Sequence, residues 1–323
     1  MGAGANHPLL AAAAGGGGAG PPSGSGGHAE RGLQTGCGLE RFDAAESAFR
    51  RALELQPQFP EALYNWGNLY REFGFLDRAQ SCYEQALAQR ANYPEVSECI
   101  QALQKTRENM AAFVEGMKRA RLSDQRTNAS EAAPLKLERR ELLPLVLNEL
   151  ELKGVGVEIG VKEGKFSERL LRLWEGRVLY SVDPWREFGS TEYIDVSNVP
   201  QQQQDALYLQ TIRRLLPFER RSAVWRLTSK EAAEILPDDS LEFCYIDADH
   251  SYRGVSEDIR LWHPKVKRGG VLAGHDYVPD GNYWFGEFGV QRAVNEFVEA
   301  SKLDLFLCEE PEGGFLTWVF IKK

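Results

Sequence analysis

The sequence predicts an α/β domain on a mostly parallel sheet, preceded by a shorter all-α segment. Three observations carry that expectation. From Leu135 onward, short apolar runs alternate with amphipathic stretches at helical spacing. Earlier in the chain a helical pattern recurs after 34 residues, with Ala45, Phe49 and Ala52 answered by Ala79, Tyr83 and Ala86. Several apolar runs of the second half end in acidic, glycine or histidine residues, and open parallel sheets bind ligands beyond the carboxyl ends of their strands.

Composition narrows the class. The chain of 323 residues, 43% hydrophobic and 26% charged, is that of a globular protein with one large or two moderate domains. A net charge of −9 argues against nucleic acid as the main partner. No apolar run approaches the length of a membrane span, so no membrane partner is expected. The five cysteines (Cys37, Cys82, Cys99, Cys244, Cys308) are scattered without CxxC spacing. They read as reduced thiols of a cytoplasmic chain. Residues 1–30 are almost all Gly, Ala, Pro and Ser, without Lys or Arg. They match no secretory or transit leader and are expected to be a disordered tail.

Residues 31–121 are expected to be repeat helices. Trp66-Gly67-xx-Tyr70 falls on one helix, Gly74 at a turn, and Ala79-xxx-Tyr83-xx-Ala86 on the next. Small residues there let paired helices approach, and aromatics fill the gaps. These residues resemble the tetratricopeptide repeat, which has the same period. The array is short, about one and a half repeats, where about three are normally needed for stability. The resemblance implies a protein-binding or self-associating module; a structural appendage is the alternative, and the short array favours it. Pro94 to Lys118 continues as helix, and polar residues 122–134 form the expected linker to a domain over 135–323.

In that domain Leu135 to Leu152 reads as one amphipathic helix. Strands are expected at Gly154–Gly160, Arg177–Asp183, Ala223–Thr228, Leu241–Ile246, around Gly269–Asp276, at Leu303–Cys308 and at Gly314–Ile321. Helices over Lys165–Trp174, Gln202–Leu216, Lys230–Leu236, Val255–Leu261 and Val290–Ser301 separate them. Alternation forces parallel strands with helices on both faces. The short connection before the last strand permits only an antiparallel pairing, for a seven-stranded sheet.

Four strand ends suit one ligand. At Val157-Glu158-Ile-Gly160-Val-Lys-Glu-Gly164, Gly160 and Gly164 let backbone approach the ligand. The GxGxxG spacing of a pyrophosphate site is absent, and Glu158 would repel phosphate. An acid with glycines suits a cationic ligand such as S-adenosylmethionine. Asp183 is placed to accept ribose hydroxyls, with a helix-capping role as the alternative. Thr228 and Ser229 would lie near the adenine, although any strand-to-helix turn reads this way. Asp249 completes the candidate cofactor-binding set. Asp247, His275 and Asp276 converge on one divalent cation, magnesium or another, or else form a hydrogen-bonded cluster without metal.

Val-Glu-Ile-Gly-Val-Lys-Glu-Gly, Val-Asp-Pro-Trp, Tyr-Ile-Asp-Ala-Asp-His-Ser-Tyr and Gly-Gly-Val-Leu-Ala-Gly-His-Asp-Tyr resemble the motifs of class I S-adenosylmethionine-dependent methyltransferases. These have a Rossmann-like sheet with an antiparallel last strand. The sub-group they are most similar to is the metal-dependent small-molecule O-methyltransferases, of catechol and macrolide-sugar type. The resemblance implies that Asp247 binds metal and that His250 is the catalytic base. It also implies a small-molecule hydroxyl acceptor. This sequence departs from the family's Asp-Asn or acidic pair by carrying His275-Asp276. The aromatic segment Tyr277 to Phe288 follows directly and is expected either to wall the substrate site or to pack on the surface; Gln201 to Gln204 and the preceding Arg186 to Pro200 form a long connection expected to border the same cleft. Two rival readings are a repeat-based interaction protein with a non-catalytic domain and a metal-independent N-methyltransferase.

Overall fold

The structure is a computed structural model that describes residues 38–123, 134–189, 193, 195–283, 286–310 and 315–323. The expected tail at 1–30 lies outside the described residues, as does most of the expected linker. The chain divides into two compact units, Met1–Thr106 and Arg107–Lys323.

In the first unit α1 (Gly38–Leu55), α2 (Pro60–Glu72), α3 (Leu76–Gln89) and the start of α4 (Pro94–Leu122) pack through aromatic side chains. Phe42 lies 4.7 Å from Phe73 and 5.4 Å from Phe75, ring centre to ring centre. Gly67 shows why the repeat needs a small residue: a Cβ there would stand 2.4 Å from the Tyr83 ring. Tyr83 is fully buried, and its hydroxyl donates to Asn68 Oδ1 at 2.7 Å.

The second unit is built on a sheet. Its strands are β1 (Lys136–Leu137), β2 (Val155–Ile159), β3 (Val178–Val182), β4 (Ser222–Trp225), β5 (Leu241–Ile246), β6 (Val266–Tyr277), β9 (Phe306–Cys308) and β10 (Leu316–Ile321). Between β6 and β9, β7 (Gly281–Tyr283) and β8 (Gly286–Phe288) form a separate antiparallel hairpin. The helices are α5 (Leu143–Glu149), α6 (Lys165–Leu173), α7 (Gln201–Leu215), α8 (Ser229–Ile235), α9 (Tyr252–Trp262) and α10 (Val290–Ala300). Strand order is β1-β9-β10-β6-β5-β2-β3-β4. β10 runs antiparallel to both β6 and β9, as the short connection before it requires.

Among the described residues the expected seven-stranded sheet has eight strands. The extra one, β1, pairs parallel with β9 at the sheet edge, Lys136 opposite Leu307. It occupies residues expected to be helical, and the expected helix over Leu135–Leu152 shrinks to a 3-10 turn at Arg140–Leu142 followed by α5. Pro144 is the physical reason: it fits the first turn of a helix and breaks an interior. The edge is closed by Asn109 of α4, whose side chain donates to Lys136 O at 3.1 Å and accepts from Glu138 N at 2.9 Å. One amide thereby covers the donor and acceptor that an edge strand leaves open. Phe113 of the same helix meets Phe306 of β9 edge to face at 5.5 Å.

β5 lies in the middle of the sheet. Leu241, Phe243, Cys244 and Tyr245 are fully buried, as expected for a strand covered on both faces. The odd residue in that run, Glu242, accepts from Gly154 N and pairs with Lys267 at 3.1 Å. Cys82, Cys99, Cys244 and Cys308 are buried free thiols. Among the described residues no helix is long and apolar enough to cross a membrane.

Candidate functional site

The carboxyl ends of β2, β3 and β5 open on a cavity of about 620 Å³. Its floor is the turn after β2. Gly160 adopts φ +85°, and a Cβ there would fall 1.9 Å from Asp247 O. Only glycine allows the β2 turn to lie against the end of β5. Gly164, at φ +75°, begins α6. Asp183 holds this turn in place: Oδ2 accepts from the Val161 and Lys162 amides at 3.0 Å each, and Oδ1 accepts from Trp185 N at 2.7 Å. Glu158 is buried beneath the turn and accepts from the Ser167 hydroxyl, which also meets Ser181 Oγ at 2.8 Å. Burial pushes the Glu158 carboxyl up to about 8.

The far wall is built from the starts of α8 and α9. Thr228 caps α8 in a reciprocal box with Glu231, so its side chain is engaged in the helix terminus. Ser229 donates to Asp258 Oδ1 and accepts from Trp262 Nε1 at 2.8 Å. Asp249 accepts from Ser251 N at 2.9 Å, and Ser251 in turn caps α9. All four polar residues, Thr228, Ser229, Asp249 and Asp258, line the cavity.

Beside the β5 end stands a cluster of imidazoles and carboxylates. Asp247, His250 and Asp276 each bring one ligand atom to within 4.8 Å of the others. His250 Nδ1 meets Asp195 Oδ2 at 3.1 Å, and its ring stacks on Phe288 at 4.8 Å. His250 Nε2 lies 2.8 Å from Asp276 Oδ2 and 3.6 Å from Asp247 Oδ1, yet this buried atom makes no hydrogen bond. His275 Nδ1 lies 3.2 Å from Asp276 Oδ1 and 4.0 Å from Asp247 Oδ1. Its Nε2 meets Glu310 Oε1 at 2.8 Å, and Glu310 pairs with Arg140 at 2.9 Å. Burial opposes charge on both imidazoles, but the surrounding carboxylates outweigh it. They raise His275 to about 9 and hold His250 well above its ordinary value. The two imidazoles beside it hold Asp276 far below the usual carboxylate range despite its burial.

Of the residues singled out from sequence, Glu158, Gly160, Asp183, Thr228, Ser229, Asp247, Asp249 and His250 line the cavity. Gly164 lies just outside, while His275 and Asp276 form the layer behind Asp247 and His250. Asp195, Phe288, Arg140, Glu310 and Asp258 were not singled out. Asp195 lies in the long connection expected to border the cleft, and Phe288 at the end of the aromatic segment expected to wall it. Those two segments do meet the site. Arg140 and Glu310 carry no motif and come to it only through the sheet edge.

Two protein families match parts of the chain. Residues 157–277 match a methyltransferase-domain family, and residues 38–104 match a tetratricopeptide-repeat family. No curated protein matches the chain. Among solved structures, an O-methyltransferase from Bacillus cereus in complex with SAH is 14% identical with a TM-score of 0.40; the match covers 67% of this chain and 91% of that one. A putative O-methyltransferase from Klebsiella pneumoniae is also 14% identical, at a TM-score of 0.40, over 67% of this chain and 90% of that one. An rRNA methylase from Streptococcus thermophilus is 13% identical, at a TM-score of 0.38, over 55% of this chain and 96% of that one. Residues 157–277 thus lie in a Rossmann-like methyltransferase core, and residues 38–104, which precede it in sequence, in a tetratricopeptide-like repeat region.

Proposed function

From that fold, we propose that the chain transfers the methyl group of S-adenosylmethionine to a hydroxyl of a small molecule. The observation that carries this reading is the meeting of Asp247, His250 and Asp276 beside a cavity floored by the Gly160 turn. The sulfonium methyl is already electrophilic. The protein must therefore align the acceptor oxygen and give its proton somewhere to go. Glu158 suits the ammonium end of the cofactor, and Asp183, with lone-pair capacity beyond its three amide bonds, suits the ribose.

His250 is the proposed proton acceptor. Asp195 holds its Nδ1 side, which leaves Nε2 facing Asp247 and Asp276. Three carboxylates around one imidazole keep it protonated, and a protonated imidazole cannot act as base. The donor set of the Asp247 and Asp276 carboxylates with His275 Nδ1 beside them fits a magnesium or manganese ion. Such an ion, when bound, would offset the carboxylate charge and lower the pKa of an acceptor hydroxyl. Asp247 and Asp276 would hold it with His275 Nδ1, which leaves His250 Nε2 to take the proton. The repeat region is proposed to serve protein interaction or self-association. The buried thiols suit a reducing, cytoplasmic setting.

The test is a methyl-transfer screen against phenols, sugars and peptides, with magnesium and after chelation. A hydroxyl acceptor, dependence on the cation and loss of about 100-fold or more in turnover for His250→Ala are expected. His250→Ala should retain S-adenosylhomocysteine binding. If that variant loses cation affinity as well as turnover, His250 is a ligand and not the base. Failure of the native chain to bind S-adenosylhomocysteine would overturn the reading and favour a non-catalytic interaction protein.

A further inference from the structure

His275 stands beside Asp247 and Asp276 and is gripped at its other ring nitrogen. Its Nε2 lies 2.8 Å from Glu310 Oε1. Arg140 Nε stands 2.9 Å from the same oxygen. The edge of the sheet brings these residues together. Arg140 N donates to Glu309 O at 3.1 Å, and Glu309 N donates to Leu137 O at 2.9 Å. The β1–β9 pairing thus places the 3-10 turn that carries Arg140 beside Glu310. The Arg140 guanidinium also lies over the Phe166 ring at 5.3 Å and lines the cavity. The proposed chemistry uses neither Arg140 nor Glu310.

A carboxylate paired with a guanidinium has no proton to give, so the bond to Glu310 needs the proton on His275 Nε2. Nδ1 is then the nitrogen that answers the other carboxylates. It lies 3.2 Å from Asp276 Oδ1 and 4.0 Å from Asp247 Oδ1. A proton on Nδ1 reaches Asp276 and leaves Asp247 Oδ1 beyond hydrogen-bond range. A cation between the three serves both. Around a six-coordinate ion held at about 2.1 Å, adjacent donors stand about 3 Å apart and opposite ones about 4.2 Å. The two separations at Nδ1 fall within that span. Histidines that bind metal take their orientation from the group on the other ring nitrogen. An imidazole among carboxylates also changes which ion is preferred. Magnesium is bound through oxygen, whereas a first-row transition ion such as manganese also takes imidazole nitrogen.

We propose that Glu310, steadied by Arg140, is a positioning residue for the cation site: it holds the Nε2 proton of His275, aims Nδ1 at the space between Asp247 and Asp276, and so makes the site prefer manganese to magnesium. The inference rests on the divalent-cation reading, and it names the ion and the residue that tunes its affinity.

The experiment is calorimetry of the full chain, freed of metal by chelation, with manganese chloride and with magnesium chloride, joined to pulsed EPR of the bound manganese. The native chain is expected to favour manganese by about tenfold or more and to show one directly bonded imidazole nitrogen. His275→Asn should lose that nitrogen and bring the two affinities together, while His250→Ala should keep it. Glu310→Ala is expected to weaken manganese binding by about 10–100-fold, and magnesium binding less. Glu310→Gln, which still accepts from Nε2, should recover most of the loss. Should Glu310→Ala fail to fold, Arg140→Met, which releases the carboxylate, should show the same loss in smaller measure. A purely structural Glu310 would move the melting temperature and leave both the manganese affinity and the nitrogen coupling unchanged, which overturns the inference. So does a native chain that binds both ions equally, or a nitrogen coupling that disappears with His250 instead of His275. Each of these results spares the methyl-transfer reading. A native chain that binds neither ion overturns the inference together with the divalent-cation reading, and its binding of S-adenosylhomocysteine then decides whether methyl transfer stands.

Discussion

Glu158 offers a measurement that reaches the cofactor site without knowledge of the acceptor. Its carboxyl is 2% exposed, and burial lifts it to about 8. At pH 7 a group with that pKa is about 0.9 protonated. An ammonium arriving beside it favours the carboxylate and expels the proton. S-adenosylhomocysteine carries that ammonium. Its binding at pH 7 should therefore release close to one proton per site, and less as the pH rises through the Glu158 value. Calorimetry in buffers of differing ionisation enthalpy reads the proton number directly, as the slope of observed enthalpy against buffer enthalpy. Glu158→Gln keeps the hydrogen bond from Ser167 and should abolish the release. The same pKa has a consequence for stability. A carboxyl raised from 4.5 to about 8 on folding favours the folded chain only while protonated. Its contribution is complete below 4.5 and is lost as pH rises through about 8. Glu158→Gln is thus expected to stabilise the ligand-free protein at pH 8 by a few kcal/mol, since a tenfold change in proton affinity is worth about 1.4 kcal/mol, and to do little at pH 4. No proton release at pH 7, together with no gain in stability at pH 8, would refute the burial argument.

Three further outcomes follow from the geometry. Gly160→Ala places a Cβ 1.9 Å from Asp247 O at a left-handed backbone position; chemical denaturation should show a loss of more than about 3 kcal/mol, with S-adenosylhomocysteine binding lost as well. Asn109→Ala opens the β1 edge by removing both of its hydrogen bonds; about 1–3 kcal/mol of stability should go, and hydrogen exchange should quicken at Glu138 while the amides of β5 stay protected. Phe288→Ala removes the ring stacked on His250 at 4.8 Å; turnover should fall about tenfold or more with cofactor affinity unchanged, because the imidazole loses its orientation. Equal losses in affinity and turnover would place Phe288 in the cofactor site instead.

What was legible in the sequence depended on whether one strand held the whole signal. Apart from Glu242, the run Leu241–Ile246 is apolar on both sets of alternating positions, so burial on both faces followed from it, and β5 lies at the middle of the sheet. β1 carried no such signal. Two residues cannot display a period of two, and what makes them a strand is β9 on one side and Asn109 on the other. Pro144, by contrast, was readable as a helix start and marks where the helical reading of Leu135–Leu152 gives way. The antiparallel last strand was legible for a different reason, since a short connection leaves the chain no alternative.

The site divides along the same line. Asp247, Asp249 and His250 follow β5 directly, so their shared location needed only the strand. Which imidazole comes nearest both carboxylates needed more. His275 and Asp276 are neighbours in the chain, but Asp276 sits at φ +59°, a left-handed turn at a residue where most L side chains are disfavoured. From that backbone His275 turns Nε2 toward Glu310, while Asp276 Oδ2 reaches His250. Asp195 approaches His250 from 55 residues away, in a loop whose length was its one visible sign. Three of the partners hidden from the sequence (Asp195, Glu310, Phe288) touch a histidine and set its charge or orientation. Reading residue types along strand ends finds the groups able to do chemistry. Their protonation depends on long-range neighbours, because a buried imidazole takes its state from whichever carboxylates the fold brings against it. The acid–base argument for His250 therefore stands on Asp195, and Asp195→Asn should lower the His250 pKa, read by NMR of the imidazole in chelated protein, with no change in the fold. An unshifted titration would mean that Asp247 and Asp276 alone set its charge.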